Sequence, residues 1–443
     1  MRRRSFLLAS AALTLPACSP GPGPRPVIPP EPPLPTVAPP PSAPPTPDAV
    51  PRAFAGTPVW PTSGQRASIH ALHRHHLCGA VFLSADDDQQ PRSLPVVVDL
   101  TGPTTLAVLG AGGTFTTHEV DPGSLTDKAQ IDEFGPELIL VRAVMDDDHA
   151  YVVVAHPHHT HENPEKDHAD LHLLKIALGD GAVTASLSLH EGFPDTTRWW
   201  LSLSLSADGA TLLVAGADPQ GRHQPPHCFG VRVASADLAV QFDASTAIPD
   251  TASKVSVEGD ALHVLDETAG DSLVVLANGR VVPMPRSQLP HVVGDSCYLN
   301  LAENSFVLRN LGTDEDTALS DLNRGLLHDL GRPAIWTRDP LLFAYAPDSR
   351  EPQASAWIPG VAAPALSWSG NRLPIPSMVA RFRDVIYHDA SQPHDDTLVL
   401  QSMTTGELID ATPWGAHGLA LAVSAWGVAT DEVFMPATEW VRS

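Results

Sequence analysis

Histidine is the side chain best placed to do chemistry in this sequence, because it recurs in clusters that also hold carboxylates. His156-Pro157-His158-His159-Thr160-His161-Glu162 gathers imidazoles in one polar stretch that runs on to His168. Neutral imidazole is the commonest protein ligand for zinc, copper and nickel, and carboxylates complete such sites. His156, His158 and His161 are close enough along the chain for their ring nitrogens to converge on one ion without help from the rest of the fold. The candidate metal ligands are therefore His156, His158, His159 and His161, supplemented by His223, His227 and His394 from later polar stretches, with zinc or copper as the ion. The competing reading is a solvated surface loop, which a polar tract of this kind also fits. His70, His73, His75 and His76, beside Cys78, form a second group that no CxxC or HExxH spacing supports.

Motifs for catalysis are weaker. Gly270-Asp271-Ser272-Leu273 spells the nucleophile motif of the GDSL hydrolases, which place it at a strand-to-helix turn near the start of an α/β domain. Here Val274-Val275-Leu276 continues as strand and Asn278-Gly279 forms the next turn, so hydrolysis at Ser272 is not expected. Gly110-Ala111-Gly112-Gly113 lacks the spacing and following helix of a dinucleotide loop. No haem-attachment motif, P-loop or EF-hand loop occurs. No catalytic residue and no cofactor is assigned. Cys78, Cys228 and Cys297 are expected to act mainly as small apolar residues, with at most one disulfide among them.

The elements that must position these groups read as strands. Leu201, Leu203 and Leu205 alternate with Ser202, Ser204 and Ser206, which puts leucines on one face and serines on the other. Asp208-Gly209 then turns the chain into Thr211-Leu212-Leu213-Val214-Ala215. Tyr151 to Ala155, Leu171 to Ile176, Gly179-Asp180-Gly181 and Val183 to Leu189 repeat that grammar, and weaker copies begin near Ala261, Ser296, Leu342 and Val385. Repeated all-strand units of this size predict an all-β chain folded as a β-propeller, in which blades of about four strands close radially. Ser206-Ala207-Asp208-Gly209-Ala210-Thr211-Leu212-Leu213-Val214-Ala215 resembles the S-x-D-G-x-x-L-x-V-A repeat of bacterial WD40- and YVTN-like surface propellers. That resemblance implies seven blades, within a range of six to eight, and a closing strand between Leu419 and Met435. It also implies that turns joining the second and third strands of each blade share one face. His156 to His168, His223 with His227, and His388 to Asp396 would then gather on that face, with Asp86, Asp87 and Asp88 from the first blade.

The two ends of the first fifty residues differ from this body. Arg2, Arg3 and Arg4 precede an apolar run from Phe6 to Leu15, which has the zones of an export signal and is too short to span a bilayer. Arg3-Arg4-Ser5-Phe6-Leu7 resembles the twin-arginine export motif, and Leu15-Pro16-Ala17-Cys18 resembles a bacterial lipobox. The resemblance implies a signal peptide over 1–17 and a lipid on Cys18. Residues 19 to 51 hold 16 prolines and little that can form a core, so 18–52 is expected to be an extended tether and 53–443 the propeller. The 51 acidic against 27 basic side chains, a net charge of -24, argue against nucleic acid as a partner. The sequence thus predicts an exported protein held to the membrane face by lipid, binding an envelope protein, glycan or small ligand. The alternatives are a metal-binding or metal-delivery protein, and a propeller lyase or hydrolase without a recognisable motif.

Overall fold

The computed structural model describes residues 42–441, except 62–65, 83–92, 102–103, 110–114, 120–137, 159–167, 195–200, 219–226, 250, 267–270, 277, 285–290, 295, 302–304, 320–338, 340, 347–352, 370–378, 390–396 and 415–419. The segment read as a signal peptide, Cys18 and most of the expected tether therefore lie outside the described residues, as do Asp86, Asp87 and Asp88. Within them, 32 strands form eight antiparallel sheets, each assembled from strands that follow one another in the chain, save one.

Blade 1 comprises β2 (Arg66–His73), β3 (His76–Phe82), β4 (Ser93–Asp99), β5 (Thr104–Leu109) and β6 (Phe115–Glu119). Blade 2 holds β7 (Ile139–Met145), β8 (His149–His158), β9 (His168–Ala177) and β10 (Val183–Pro194). Blade 3 holds β11 (Leu201–Leu205), β12 (Thr211–Asp218), β13 (His227–Ala234) and β14 (Val240–Asp243). Blade 4 holds β15 (Lys254–Glu258), β16 (Ala261–Asp266), β17 (Asp271–Leu276) and β18 (Val281–Met284). Blade 5 follows with β19 (His291–Val293), β20 (Ser296–Leu301), β21 (Ser305–Asn310) and β22 (Asp316–Ala318). Three described strands, β23 (Leu342–Ala346), β24 (Gln353–Trp357) and β25 (Leu366–Ser369), make blade 6. Blade 7 is β26 (Val379–Phe382), β27 (Val385–Asp389), β28 (Thr397–Ser402) and β29 (Leu408–Pro413). The last sheet breaks the local rule: β30 (Ala422–Ser424), β31 (Gly427–Ala429) and β32 (Phe434–Val441) are completed by β1 (Val50–Phe54) from the other end of the chain.

Alternating side chains explain why these sheets stack into a ring. The blades present apolar residues to their neighbours on both sides, and eight buried clusters fill the eight joints between them. Cys78 and Val97 meet Val152 and Leu174 between blades 1 and 2, and Tyr151 and Leu171 meet Leu212 and Phe229 between blades 2 and 3. Ala215 meets Val257, Val274 meets Leu299, and Tyr298 meets Trp357 across the next three. Trp368 packs with Ile386, Tyr387 with Val428, and Phe434 with Leu77, which returns the circuit to blade 1. The molecule is an eight-bladed β-propeller, at the upper end of the expected range rather than the seven blades that the repeat resemblance implied.

The predicted amphipathic strand is β11, and its serines are not solvent-facing. Leu201, Leu203 and Leu205 belong to the joint with blade 2. Ser202 Oγ accepts from the Val257 amide at 2.7 Å, and Ser204 Oγ donates to the Gly259 carbonyl at 3.2 Å, so the polar face is bonded to blade 4. The Ser206-Ala207-Asp208-Gly209 turn is held by its own side chains. Asp208 Oδ1 accepts from Ser206 Oγ at 2.6 Å and from the Ala210 amide at 3.0 Å, while Gly209 takes φ +71°, where a Cβ is disfavoured. Asp180 and Asn278 brace the turns before Ala182 and Arg280 in the same way.

Ring closure uses the first described strand. β1 runs antiparallel to β32, with Val50 opposite Val441, and Arg52 bonds Glu439 at 2.6 Å. Tyr387 Oη donates to the Pro51 carbonyl at 2.8 Å, and Arg383 pairs with Asp48. The propeller therefore starts at Val50, before the boundary at 53 read from composition, and its closing strand is β32 joined by β1 rather than a strand within Leu419 to Met435.

Candidate metal centre

The histidine stretch of blade 2 is built differently from the expected loop. His156, Pro157 and His158 are the last three residues of β8, and β9 begins at His168. Register sets His158 opposite His168, Pro157 opposite Ala169 and His156 opposite Asp170. Since every second residue of a strand shares a face, His156, His158, His168, Asp170 and His172 all lie on one face of the blade. That face is shared by Val154 and Leu174, which pack against blade 1, so the polar row begins where the joint between blades 1 and 2 runs out.

Three of these residues converge. One ligand atom from each of His158, His168 and Asp170 lies within 4.8 Å of the others, and each residue is half-buried. His158 Nε2 is 2.8 Å from Asp170 Oδ2, and the His158 and His168 rings stack with centroids 4.9 Å apart. Burial alone would raise the Asp170 carboxyl, but the Gly192 amide, bonded to Oδ1 at 2.9 Å, and His158 hold it below the ordinary range. The carboxylate is thus charged and oriented, with Oδ2 turned to the imidazole. His156 lies beside this trio, its ring 4.7 Å from that of His158. Burial lowers the His156 and His172 pKa values, with the neighbouring His158 adding to the effect at His156, so both rings favour the neutral form that binds metals. Two imidazoles and a carboxylate are a borderline nitrogen and oxygen donor set suited to zinc, copper or nickel.

Among the other predicted ligands, His159, His161, His223 and His394 lie outside the described residues. His227 opens β13 opposite Asp218, in blade 3. The strands flanking 390–396 belong to blade 7, which is not a neighbour of blades 2 or 3. His388 is instead buried in β27, edge-on to Trp368. His158, Asp218 and Asp389, the last residues of β8, β12 and β27, each end the second strand of their blade.

Asp170 and His172 were missed by sequence reasoning, and His168 was noted only as the end of a loop. The usable signal was the alternation His168-x-Asp170-x-His172, which continues a strand instead of leaving one. Ser272 of the GDSL-like motif lies in β17, as the strand reading expected. Its Oγ meets His263 Nε2 at 2.7 Å, but both residues are buried and His263 Nδ1 has no partner, so the pair has no acid to orient it. Cys78, Cys228 and Cys297 lie in three different blades and are not joined by a disulfide, and burial pushes Cys78 and Cys297 up to about 12, which leaves both inert.

No protein-family model matches the chain, and no curated protein matches it. Among solved structures it is similar to BamB from Moraxella catarrhalis, at 12% identity over 81% of this chain and 99% of that one, with a TM-score of 0.34. It is similar also to a functionally unknown protein from Desulfotomaculum acetoxidans, at 9% identity over 80% and 98%, TM-score 0.34. A eukaryotic initiation factor matches at 10% identity over 83% of this chain and 91% of that chain, TM-score 0.41. Likenesses this distant say nothing of function, and the propeller assignment rests on sheet order and the eight filled joints.

Proposed function

We propose that this protein is an exported, lipid-anchored β-propeller of the bacterial envelope, related to the WD40- and YVTN-like propellers, that works by binding a protein, glycan or small ligand on its loop face. The observation that carries this reading is the closed ring of eight sheets, in which His158 and His168, at facing ends of β8 and β9, flank one polar, His-rich stretch of the sequence. The lipobox-like Leu15-Pro16-Ala17-Cys18 supports anchoring at the membrane, where two or more acyl chains hold a protein stably. A Cys18→Ser variant is expected to leave the membrane fraction for the soluble one, and continued partition with membranes removes the anchor. A photo-crosslinker at His158, compared with one at Arg74 on the opposite face, is expected to give discrete envelope adducts only from His158. Equal labelling from both sites counts against a dedicated binding face.

A second reading, metal binding or delivery, is favoured by the convergence of His158, His168 and Asp170. His156 would stand as an additional imidazole, and His159, His161, His223, His227 and His394 remain sequence candidates for the same ion, zinc or copper. Zinc titration of the full chain is expected to lose one equivalent in a His158→Ala, His168→Ala double variant. Unchanged stoichiometry and affinity reject this reading.

A further inference from the structure

A cluster with the same donor chemistry lies at the opposite end of blade 1, and none of the readings above uses it. We propose that His75, His76 and Asp99 form a binding site for one divalent transition-metal ion of the zinc class, at the seam between blades 1 and 8.

Strand register builds most of the site. His76, the first residue of β3, is paired with His73 on β2 and with Asp99 at the end of β4, so a polar row crosses three strands. His75, in the intervening turn, brings its ring centroid to 4.1 Å from that of His76. One ligand atom from each of His75, His76 and Asp99 lies within 4.8 Å of the others. Donors sharing a tetrahedral zinc at about 2.0–2.2 Å stand roughly 3–3.5 Å apart, so modest side-chain rotation closes the set. Two imidazoles and one carboxylate leave a fourth position for water.

An independent observation points to a ligand. His76 is only 8% exposed, and its Nδ1 is buried without a hydrogen-bond partner. A buried polar nitrogen left unpaired is costly, and metal coordination of this imidazole offsets that cost.

The surroundings hold the donors in place. Asp99 Oδ1 accepts from the Thr101 amide at 2.8 Å and from Thr101 Oγ1 at 2.6 Å, which orients the carboxylate. The His75 carbonyl accepts from the Leu100 amide at 2.9 Å, tying the turn to β4. From blade 2, Asp147 bonds His73 Nε2 at 2.7 Å and Arg74 at 2.8 Å, so the turn is clamped and the guanidinium charge is balanced. From blade 8, Trp426 in the turn between β30 and β31 lies 5.4 Å from the His75 ring.

Trp426 supplies the readout. The full-length chain carrying His158→Gln and His168→Gln silences the blade 2 cluster, and Cu2+ is the quenching probe, with Zn2+ as competitor. A saturable loss of tryptophan fluorescence, reversed by Zn2+, is expected. Trp426→Phe should abolish that component while leaving zinc stoichiometry by equilibrium dialysis unchanged. His76→Gln and His75→Gln should each weaken it at least tenfold and remove one equivalent of zinc. Should His76→Gln fail to fold, His75→Gln, in the half-buried turn, carries the same expectation. Absence of the Trp426 component, or its survival at full affinity in His75→Gln, overturns the proposal.

Discussion

His263 shows what enclosure does to an imidazole that has a single polar neighbour. It is 3% exposed, bonded to Ser272 Oγ, and its pKa is lowered to about 4 by burial first and by the charge of Lys254 second. An unfolded chain takes up this proton near pH 6.5, whereas the native state refuses it until about pH 4. The native state therefore keeps its full stability above pH 6.5 and loses it progressively as pH falls toward 4, by about 3 kcal/mol from this residue. Urea unfolding of wild type and His263→Leu across that window should converge as the pH drops, with the variant showing the flatter profile. Equal slopes would mean that His263 titrates normally. At this scale the sequence named His158 as a ligand but took its neighbourhood for a loop, since Pro157 reads as a strand breaker. The ladder continues through that proline, and only the ladder brings Asp170 to the imidazole.

At the scale of strands, close approach between chains sets the tightest limits. Gly79 in β3 faces the β2 backbone beside the register shift at Ile69 and Ala71, and a Cβ there would fall 2.1 Å from the Ser68 carbonyl oxygen and 3.3 Å from Trp60. Gly79→Ala is expected to cost about 1–3 kcal/mol in chemical unfolding, because a backbone oxygen cannot rotate away. Gly56→Ala, which meets nothing within 4 Å, is the matched control and should be nearly neutral. Turns were the most legible elements. Asp208-Gly209 and Asn278-Gly279 encode their conformation locally, through a side-chain acceptor followed by a residue free to take positive φ. Strands of blades 2 and 3 were equally plain, since β11 alternates leucine with serine while β8 and β12 carry continuous apolar runs that end at turn residues. Blade 8 was not, because β30 and β31 have three residues each and their partner β1 lies near the other end of the sequence. No local pattern announces a sheet divided in that way, and the count fell to seven.

Closure is a property of the whole ring. Val50 is fully buried in the joint between blades 7 and 8, and the Trp60 carbonyl accepts from the Phe434 amide at 2.9 Å. Removing β1 exposes that joint and leaves β32 with an open edge. A chain beginning at Asp48 should melt with the full-length protein, whereas one beginning at Gly56 should melt lower by about 10 °C or more and unfold less cooperatively. Matching calorimetric transitions for both truncations would show that the ring does not depend on its first strand. The pairing of Val50 with Val441 has a practical corollary for engineering. Val50 and Val441 are side by side, so a fluorescent protein fused after Val441 sits beside the strand at which the ring begins. Display of cargo away from that seam calls for insertion into a connection on a distant sector instead.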